Sequence, residues 1–188
     1  FCRCRTFSSY ECVPLIDCIL TGQDGLIHGM KQTEAKYVVT SIDLLSRIAQ
    51  FIDQTPNITK IFYIRHEYQK KDAIPKFPSH IQLIPLDQVE EQGRSAPALD
   101  VALPTQDSVS CIMYTSGTTG IPKAVILQNR QIKGALRALT SNVADLADEA
   151  PRHTYASFLP LAHIMGLTFE LFLFTGTVTF VCLWLAAH

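Results

Sequence analysis

Hydroxyl, glycine and lysine residues that could bind phosphate are concentrated in one short stretch, residues 115–123. The residues of interest are Thr115, Ser116, Gly117, Thr118, Thr119, Gly120 and Lys123. Glycines let backbone N–H groups approach an anion, hydroxyls add hydrogen-bond donors, and an ammonium group supplies charge for phosphate oxygens. Because hydrogen bonds to charged groups contribute about 1.5–3 kcal/mol each, such a stretch can hold a polyphosphate. The same residue types are common in surface loops, so composition alone leaves both a phosphate site and a flexible loop open.

The spacing of this stretch differs from that of a Walker A loop. A Walker A loop reads Gly-x-x-x-x-Gly-Lys-Ser/Thr and leads into a helix. Here Gly117-x-x-Gly120-x-x-Lys123 leads into the apolar run 124–127, which favours a strand. The spacing therefore excludes a Walker A loop, and a phosphatase or kinase with an unrelated phosphate loop is a further alternative.

Short apolar runs alternate with helical patterns along the whole chain. Strands are predicted at residues 37–40, 58–65, 81–84, 109–114, 124–127, 153–158 and 178–181. Helices are predicted at residues 44–52 and 131–146 and in a segment ending near residue 174, with Ser41 or Asp43 and Asn129 as caps and a polar connection at 90–106. Apolar strands that do not alternate indicate an α/β sheet covered on both faces. Ligands of such sheets bind beyond the carboxyl ends of strands, so the loop after Tyr114 is the expected site.

Composition excludes several other classes of function. The 188 residues include 16 basic and 17 acidic side chains, a balance that argues against binding to nucleic acid. Four of the six cysteines precede residue 19, without a Cys-x-x-Cys pair, which favours reduced thiols over a metal site or a disulfide framework. Residues 171–187 carry no charge, but Thr175-Gly176-Thr177 interrupts them, so a helix followed by a strand is favoured over a transmembrane helix.

Three groups of residues resemble a known family. Residues 115–123 resemble the phosphate-binding signature of the adenylate-forming enzymes, which include acyl-CoA synthetases, peptide-synthetase adenylation domains and luciferases. Residues 158–163, Phe-Leu-Pro-Leu-Ala-His, resemble a run of the long-chain acyl-CoA synthetases, and so do residues 28–34 and 39–41. The resemblance extends from about residue 25 to about residue 180.

The resemblance implies an α/β fold with a layered, mostly parallel sheet and helices on both faces, as part of a large N-terminal domain. Residues 24–182 would be a partial AMP-binding domain, residues 1–23 an uncertain segment and residues 183–188 a divergent or truncated end, with the C-terminal catalytic domain absent. The implied parent reaction converts ATP and a long-chain fatty acid into acyl-AMP and pyrophosphate. The acyl group is then transferred to coenzyme A to give acyl-CoA. The alternative is a non-catalytic truncated product or nucleotide-binding module of the same family.

The same resemblance assigns roles to single residues. The loop residues and Lys123 would bind the ATP phosphates, and His163 would lie beside the carboxylate and acyl channel. The family also uses Mg²⁺, but its acidic Mg²⁺ ligand and mobile lysine would lie beyond His188, so this chain alone is not expected to form acyl-adenylate. Family members associate with membranes, which implies a cytoplasmic location at the endoplasmic reticulum or mitochondrial outer membrane, without a transmembrane segment in this chain.

Three positions bear on how closely the chain follows the family pattern. Ala124 stands where glycine is usual, which would be strained if the position required a positive φ and harmless if it is a strand residue. Gly166 stands where the long-chain branch often has glutamate, and Glu170 matches a later acidic position.

Overall fold

The chain divides into two units in a computed structural model: Thr21–Asp100, and Phe1–Leu20 together with Val101–His188. The structure describes residues 15–16, 22–65, 74–97, 103–115, 122–142, 153–157, 159–174 and 178–182. In chain order the elements are β1 (Leu15–Ile16), α1 (Gly22–Gln32), β2 (Tyr37–Ser41), α2 (Leu45–Ala49), β3 (Lys60–Ile64), β4 (Gln82–Pro85), α3 (Leu86–Ser95), β5 (Val109–Thr115), β6 (Lys123–Gln128), α4 (Asn129–Asn142), β7 (His153–Ser157), α5 (Ile164–Leu173) and β8 (Val178–Cys182).

The unit Thr21–Asp100 contains a parallel sheet with the strand order β2-β3-β4. Its hydrophobic core has Leu45, Ile58 and Ile61 at 0% exposure. Around these three pack the other buried side chains of the core, Ile27, Met30, Ile48, Phe51, Ile52, Tyr63 and Ile81. Alternate residues of β3 enter this core because successive side chains of a strand point to opposite faces.

The other unit contains two sheets. One has the order β1-β5-β6, in which β1 is parallel and β6 antiparallel to β5. The other is the parallel pair β7-β8, whose strands are separated in sequence by α5. Parallel pairing therefore predominates among the described strand pairs, and this confirms the α/β class that the sequence predicted.

All of the predicted strands are present, with ends displaced by at most two residues. The helices differ more. The segment predicted as one helix at 44–52 consists of a 3-10 turn (Ile42–Leu44), α2 and a second 3-10 turn (Ile52–Gln54). Ser41 precedes the first turn, but its side chain makes no capping hydrogen bond. The segment does contain the buried residues Leu45, Ile48 and Ile52. Its hydrogen bonding, however, breaks the helix after a single α-turn.

Two helices were missed or misplaced by the sequence patterns. The predicted polar connection 90–106 begins inside α3, which has no buried residue and so lacks the apolar stripe that marks a helix. Helix α1 was not predicted at all. Asn129 lies inside α4 and donates from Nδ2 to the Thr105 carbonyl (2.8 Å), so its prediction as an N-cap acceptor is wrong.

No helix within the described residues is both long and apolar enough to cross a membrane. Helix α5 ends at Leu173, and β8 follows from Val178. The interruption predicted at residues 175–177 therefore separates a helix from a strand.

Candidate functional site

The hairpin formed by β5 and β6 brings together the two ends of the glycine- and hydroxyl-rich stretch. Thr115 lies opposite Lys123, and the Thr115 hydroxyl donates to the Lys123 carbonyl at 3.5 Å. Directly opposed residues of antiparallel strands have Cα atoms about 4.5–5.5 Å apart. Thr115 and Lys123, the two ends of the stretch, are therefore adjacent at the carboxyl end of β5.

Strand β5 is held by alternate buried side chains. Cys111 and Met113 are 2% and 4% exposed, whereas Thr115 at the strand end is exposed. Across the hairpin, Lys123 is also exposed. Burial thus anchors the strand and leaves the Lys123 ammonium exposed at the end of the hairpin, whereas the Thr115 hydroxyl donates its proton to the Lys123 carbonyl. The other predicted phosphate ligands, Ser116, Gly117, Thr118, Thr119 and Gly120, lie outside the described residues.

Ala124 occupies an ordinary strand position. It pairs with Tyr114 in the hairpin register. Among the described residues, Glu34 is the non-glycine residue with a positive φ, at 50°, and Ala124 is not one. An added Cβ is therefore not strained at position 124, and the departure from glycine does not distort the hairpin.

The second part of the candidate site is the turn between β7 and α5, which carries His163. The His163 N–H donates to the Pro160 carbonyl (2.9 Å), and the imidazole Nδ1 accepts from the Met165 N–H (3.2 Å). His163 is thus the N-cap of α5, with extended backbone angles and an exposed side chain. Because Nδ1 accepts a hydrogen bond, the neutral ring carries its proton on Nε2 and offers that N–H as a donor.

We expect His163→Ala to lower the free energy of unfolding by about 0.5–2 kcal/mol, because the cap of α5 is lost. His163→Asn is expected to preserve most of this stability, since an asparagine oxygen also caps helices well. Urea unfolding of the two variants makes the comparison, and equal destabilisation by Ala and Asn would contradict the capping role.

Gly166 allows the turn to pack closely on the first turn of α5. A Cβ at this position would lie 2.7 Å from the Pro160 carbonyl oxygen and 3.2 Å from the Leu159 Cβ. The glutamate common at this position in the long-chain branch would therefore displace the turn as it is folded here. Sequence reasoning noted the departure but had no signal for this contact.

We expect Gly166→Ala to destabilise the protein by about 1–3 kcal/mol, because the backbone carbonyl of Pro160 must move to admit the new methyl group. Gly134→Ala is the matched control, since Gly134 lies inside α4 with nothing within 4 Å of its added Cβ. That control is expected to stabilise the protein by up to about 1 kcal/mol. Denaturant unfolding measures both changes, and effects of the same sign would disprove the close contact.

Helix α5 also contacts β7 through side chains. The Ser157 hydroxyl donates to the Glu170 carboxylate, and the rings of Tyr155 and Phe169 stack at 6.5 Å between centroids with an interplanar angle of 7°. Sequence reasoning noted Glu170 only as an acidic match and did not single out Ser157. Ser157 ends a strand and Glu170 lies in the following helix, so the local sequence gives no signal that their side chains are in contact.

Thr115, Lys123 and His163 all belong to the same unit of the chain. Among the described residues, no group of three or more His, Cys, Asp and Glu side chains could hold a metal ion. Lys123 offers an ammonium group at the hairpin and His163 an imidazole N–H at the turn before α5, and each is a donor that suits an anionic substrate.

Comparison with known proteins identifies the family of the chain. The sequence profile of a family described as "AMP-binding enzyme" matches residues 12–184. "Long-chain-fatty-acid--CoA ligase 4" of Saccharomyces cerevisiae is 33% identical over 167 residues, 79% of this chain and 24% of the relative. "Long-chain-fatty-acid--CoA ligase 1" of Schizosaccharomyces pombe is 27% identical over 151 residues, 79% of this chain and 21% of the relative. The chain thus spans about a quarter of the length of these relatives.

The fold is also shared with solved structures. The A-PCP didomain of carboxylic acid reductase from Segniliparus rugosus, in complex with AMP, matches with a TM-score of 0.63. It is 22% identical, and the match covers 85% of this chain and 24% of the reductase chain. The resemblance inferred from residues 115–123 and 158–163 is therefore confirmed at the level of the family: the chain belongs to the AMP-binding enzymes, and its curated relatives are long-chain-fatty-acid–CoA ligases.

Proposed function

We propose that this chain is part of an enzyme that activates long-chain fatty acids with ATP, forming acyl-AMP and pyrophosphate and then acyl-CoA. The observation that carries the proposal is the hairpin pairing of Thr115 with Lys123, the first and last residues of the hydroxyl- and glycine-rich stretch. Identity of 33% to a long-chain-fatty-acid–CoA ligase supports the choice of substrate. Residues 24–182 form the adenylation part in this proposal.

In this reaction the loop of residues 115–120 and Lys123 bind the β- and γ-phosphates of ATP. The fatty-acid carboxylate attacks the α-phosphorus in line, and pyrophosphate leaves. Two anions must meet in this step, so the Lys123 ammonium and the loop donors lower the barrier by position and by charge. His163 offers its Nε2–H to the carboxylate side of the site, in keeping with the tautomer set by its Nδ1 contact.

Mg²⁺ would be brought to the site by the bound nucleotide. The described residues include no acidic cluster suited to hold it, so no step is assigned to the ion through this chain. Coenzyme A is the proposed second substrate. We also propose the cytosolic face of the endoplasmic reticulum or of the mitochondrial outer membrane as the place of action, on the basis of the family resemblance.

The test is a chimera in which residues 24–182 replace the aligned segment of the S. cerevisiae ligase 4. We expect palmitate-dependent ATP–pyrophosphate exchange by the chimera, because the remaining parts of the site come from the relative. The 188-residue chain alone is expected to give no exchange above background. Loss of one preorganised electrostatic contact costs about 10²–10³ in rate, and the described residues of this chain hold no acidic cluster for Mg²⁺.

A thermal melt and an ATP-binding measurement on the chimera serve as controls for folding. A chimera that folds and binds ATP but shows no palmitate-dependent exchange would overturn acyl activation and leave a nucleotide-binding module. Exchange by the 188-residue chain that disappears in Lys123→Ala would instead show a self-sufficient site.

A further inference from the structure

Strand β6 forms an open edge of its sheet. The strand order β1-β5-β6 places β6 last, and among the described strands it pairs with β5 alone. Its first four residues, 123–126, are all exposed. Edge strands of natural proteins are usually protected from association by charges, prolines or bulges. Residues 124–128 of β6 include no charge and no proline, and the irregularity of the hairpin falls on β5, between Val109 and Cys111.

Two apolar side chains of β6 are exposed on opposite faces of this edge. Val125 is 40% exposed and Ile126 is 58% exposed. Because successive side chains of a strand point to opposite faces, neither face of the edge is fully covered. A helix or a loop packed on the sheet would cover one face only. A further strand at the edge gives both side chains cross-strand neighbours, so the exposure of β6 indicates a strand as its partner.

The sequence of β6 is complementary to itself. Two identical strands related by a twofold axis normal to the sheet pair antiparallel, and β6 already pairs in this way with β5. We place the axis at Ile126, the most exposed apolar residue of the strand. The facing side chains are then all uncharged: Ile126 with its copy, Val125 with Leu127, and Ala124 with Gln128. No like charges meet, since Lys123 stands opposite the neutral Asn129 of the second copy.

We propose that β6 is a self-association surface, through which two copies of this chain pair antiparallel about a twofold axis at Ile126. The two β1-β5-β6 sheets become one six-stranded sheet. A pair of edge strands is a small interface, so the association is weak and depends on protein concentration. The two Lys123 residues lie at opposite ends of the strand pair, roughly 20 Å apart. The interface is therefore independent of the proposed acyl activation.

The first test is sedimentation equilibrium of the 188-residue chain over a range of concentrations. We expect a monomer–dimer equilibrium in the wild type. Ile126→Lys is expected to raise the dissociation constant by about tenfold or more, because two lysines then meet at the axis. Val39→Lys is the matched control, since Val39 is a β-branched residue, 61% exposed, in the edge strand β2 of the other unit. We expect this control to dimerise like the wild type.

A charge exchange at the axis tests the register. Ile126→Glu and Ile126→Lys are each expected to be monomeric, because position 126 faces its own copy. An equimolar mixture of the two variants is expected to form heterodimers, since opposite charges then face each other. Ile126 is exposed, so both substitutions are expected to leave the fold intact. Circular dichroism spectra equal to that of the wild type verify this.

A cross-link measures the same register with a smaller change. Directly opposed residues of antiparallel strands have Cα atoms about 4.5–5.5 Å apart, within the range that a disulfide spans. Ile126→Cys is therefore expected to form a covalent dimer under mild oxidation. Ala124→Cys is the control, because its copy lies four strand positions away. This control is expected to give no more dimer than the wild type, whose own six cysteines set the background.

Four outcomes would overturn the proposal. The first is a wild-type chain that stays monomeric at every concentration. The second is equal loss of dimer in Val39→Lys and Ile126→Lys, which would show association that is not specific to β6. The third is a mixture of folded Ile126→Glu and Ile126→Lys that remains monomeric. The fourth is a covalent dimer that forms as readily in Ala124→Cys as in Ile126→Cys.

Discussion

Replacing Lys123 with alanine is expected to weaken the affinity of the 188-residue chain for MgATP by about 10- to 150-fold. A hydrogen bond to a charged group contributes roughly 1.5–3 kcal/mol, and each 1.4 kcal/mol corresponds to a factor of ten in Kd. Lys123 is exposed at the start of β6 and lies opposite Thr115. Its ammonium group is therefore accessible to a dissolved ligand. Calorimetric titration with MgATP, and separately with pyrophosphate, measures the change.

The control for this prediction is Lys133→Ala. Lys133 is an exposed lysine of α4 in the same unit, so the variant makes the same change in net charge on a different element. We expect its affinity to remain within about twofold of the wild type, since a solvated surface charge that does not contact the phosphates is largely screened by salt. Equal loss of affinity in the two variants would show a general effect of charge and would refute a phosphate contact at Lys123.

Replacing Leu45 with alanine is expected to lower the free energy of unfolding of the Thr21–Asp100 unit by about 2–5 kcal/mol. Leu45 is 0% exposed and packs in the core that also holds Ile58 and Ile61. The loss combines the transfer free energy of the removed methyl groups with the cavity left among neighbours that relax only in part. Urea unfolding followed by circular dichroism measures this change.

Leu103→Ala provides the comparison at the surface, because Leu103 is 85% exposed. Surface substitutions of this kind change stability by about 0.5 kcal/mol or less. A Leu45→Ala variant that loses no more stability than Leu103→Ala would contradict the core assigned to this unit.

The candidate phosphate site was predicted from the sequence alone. The hydroxyls, glycines and Lys123 of residues 115–123 are adjacent in the chain, so their type and spacing could be recognised without knowledge of the fold. The strands were also predictable, because a short apolar run between turn residues is a local pattern. The family followed from the same stretch and from residues 158–163, and the comparison with known proteins confirmed it.

Other features depend on contacts that no local pattern contains. The sequence did not show that β5 and β6 pair antiparallel with Thr115 opposite Lys123, because register is set by the partner strand. Helix α3 was not predicted because none of its residues is buried, so it lacks the apolar stripe by which a helix is recognised. The tight packing of Gly166 on Pro160 and the bond from Ser157 to Glu170 both arise only when α5 folds back onto the end of β7. The residue types for phosphate chemistry and the cap that His163 forms on α5 were thus determined locally. Strand register and the packing of α5 on β7 were decided by the tertiary structure, since they join residues that are distant in sequence.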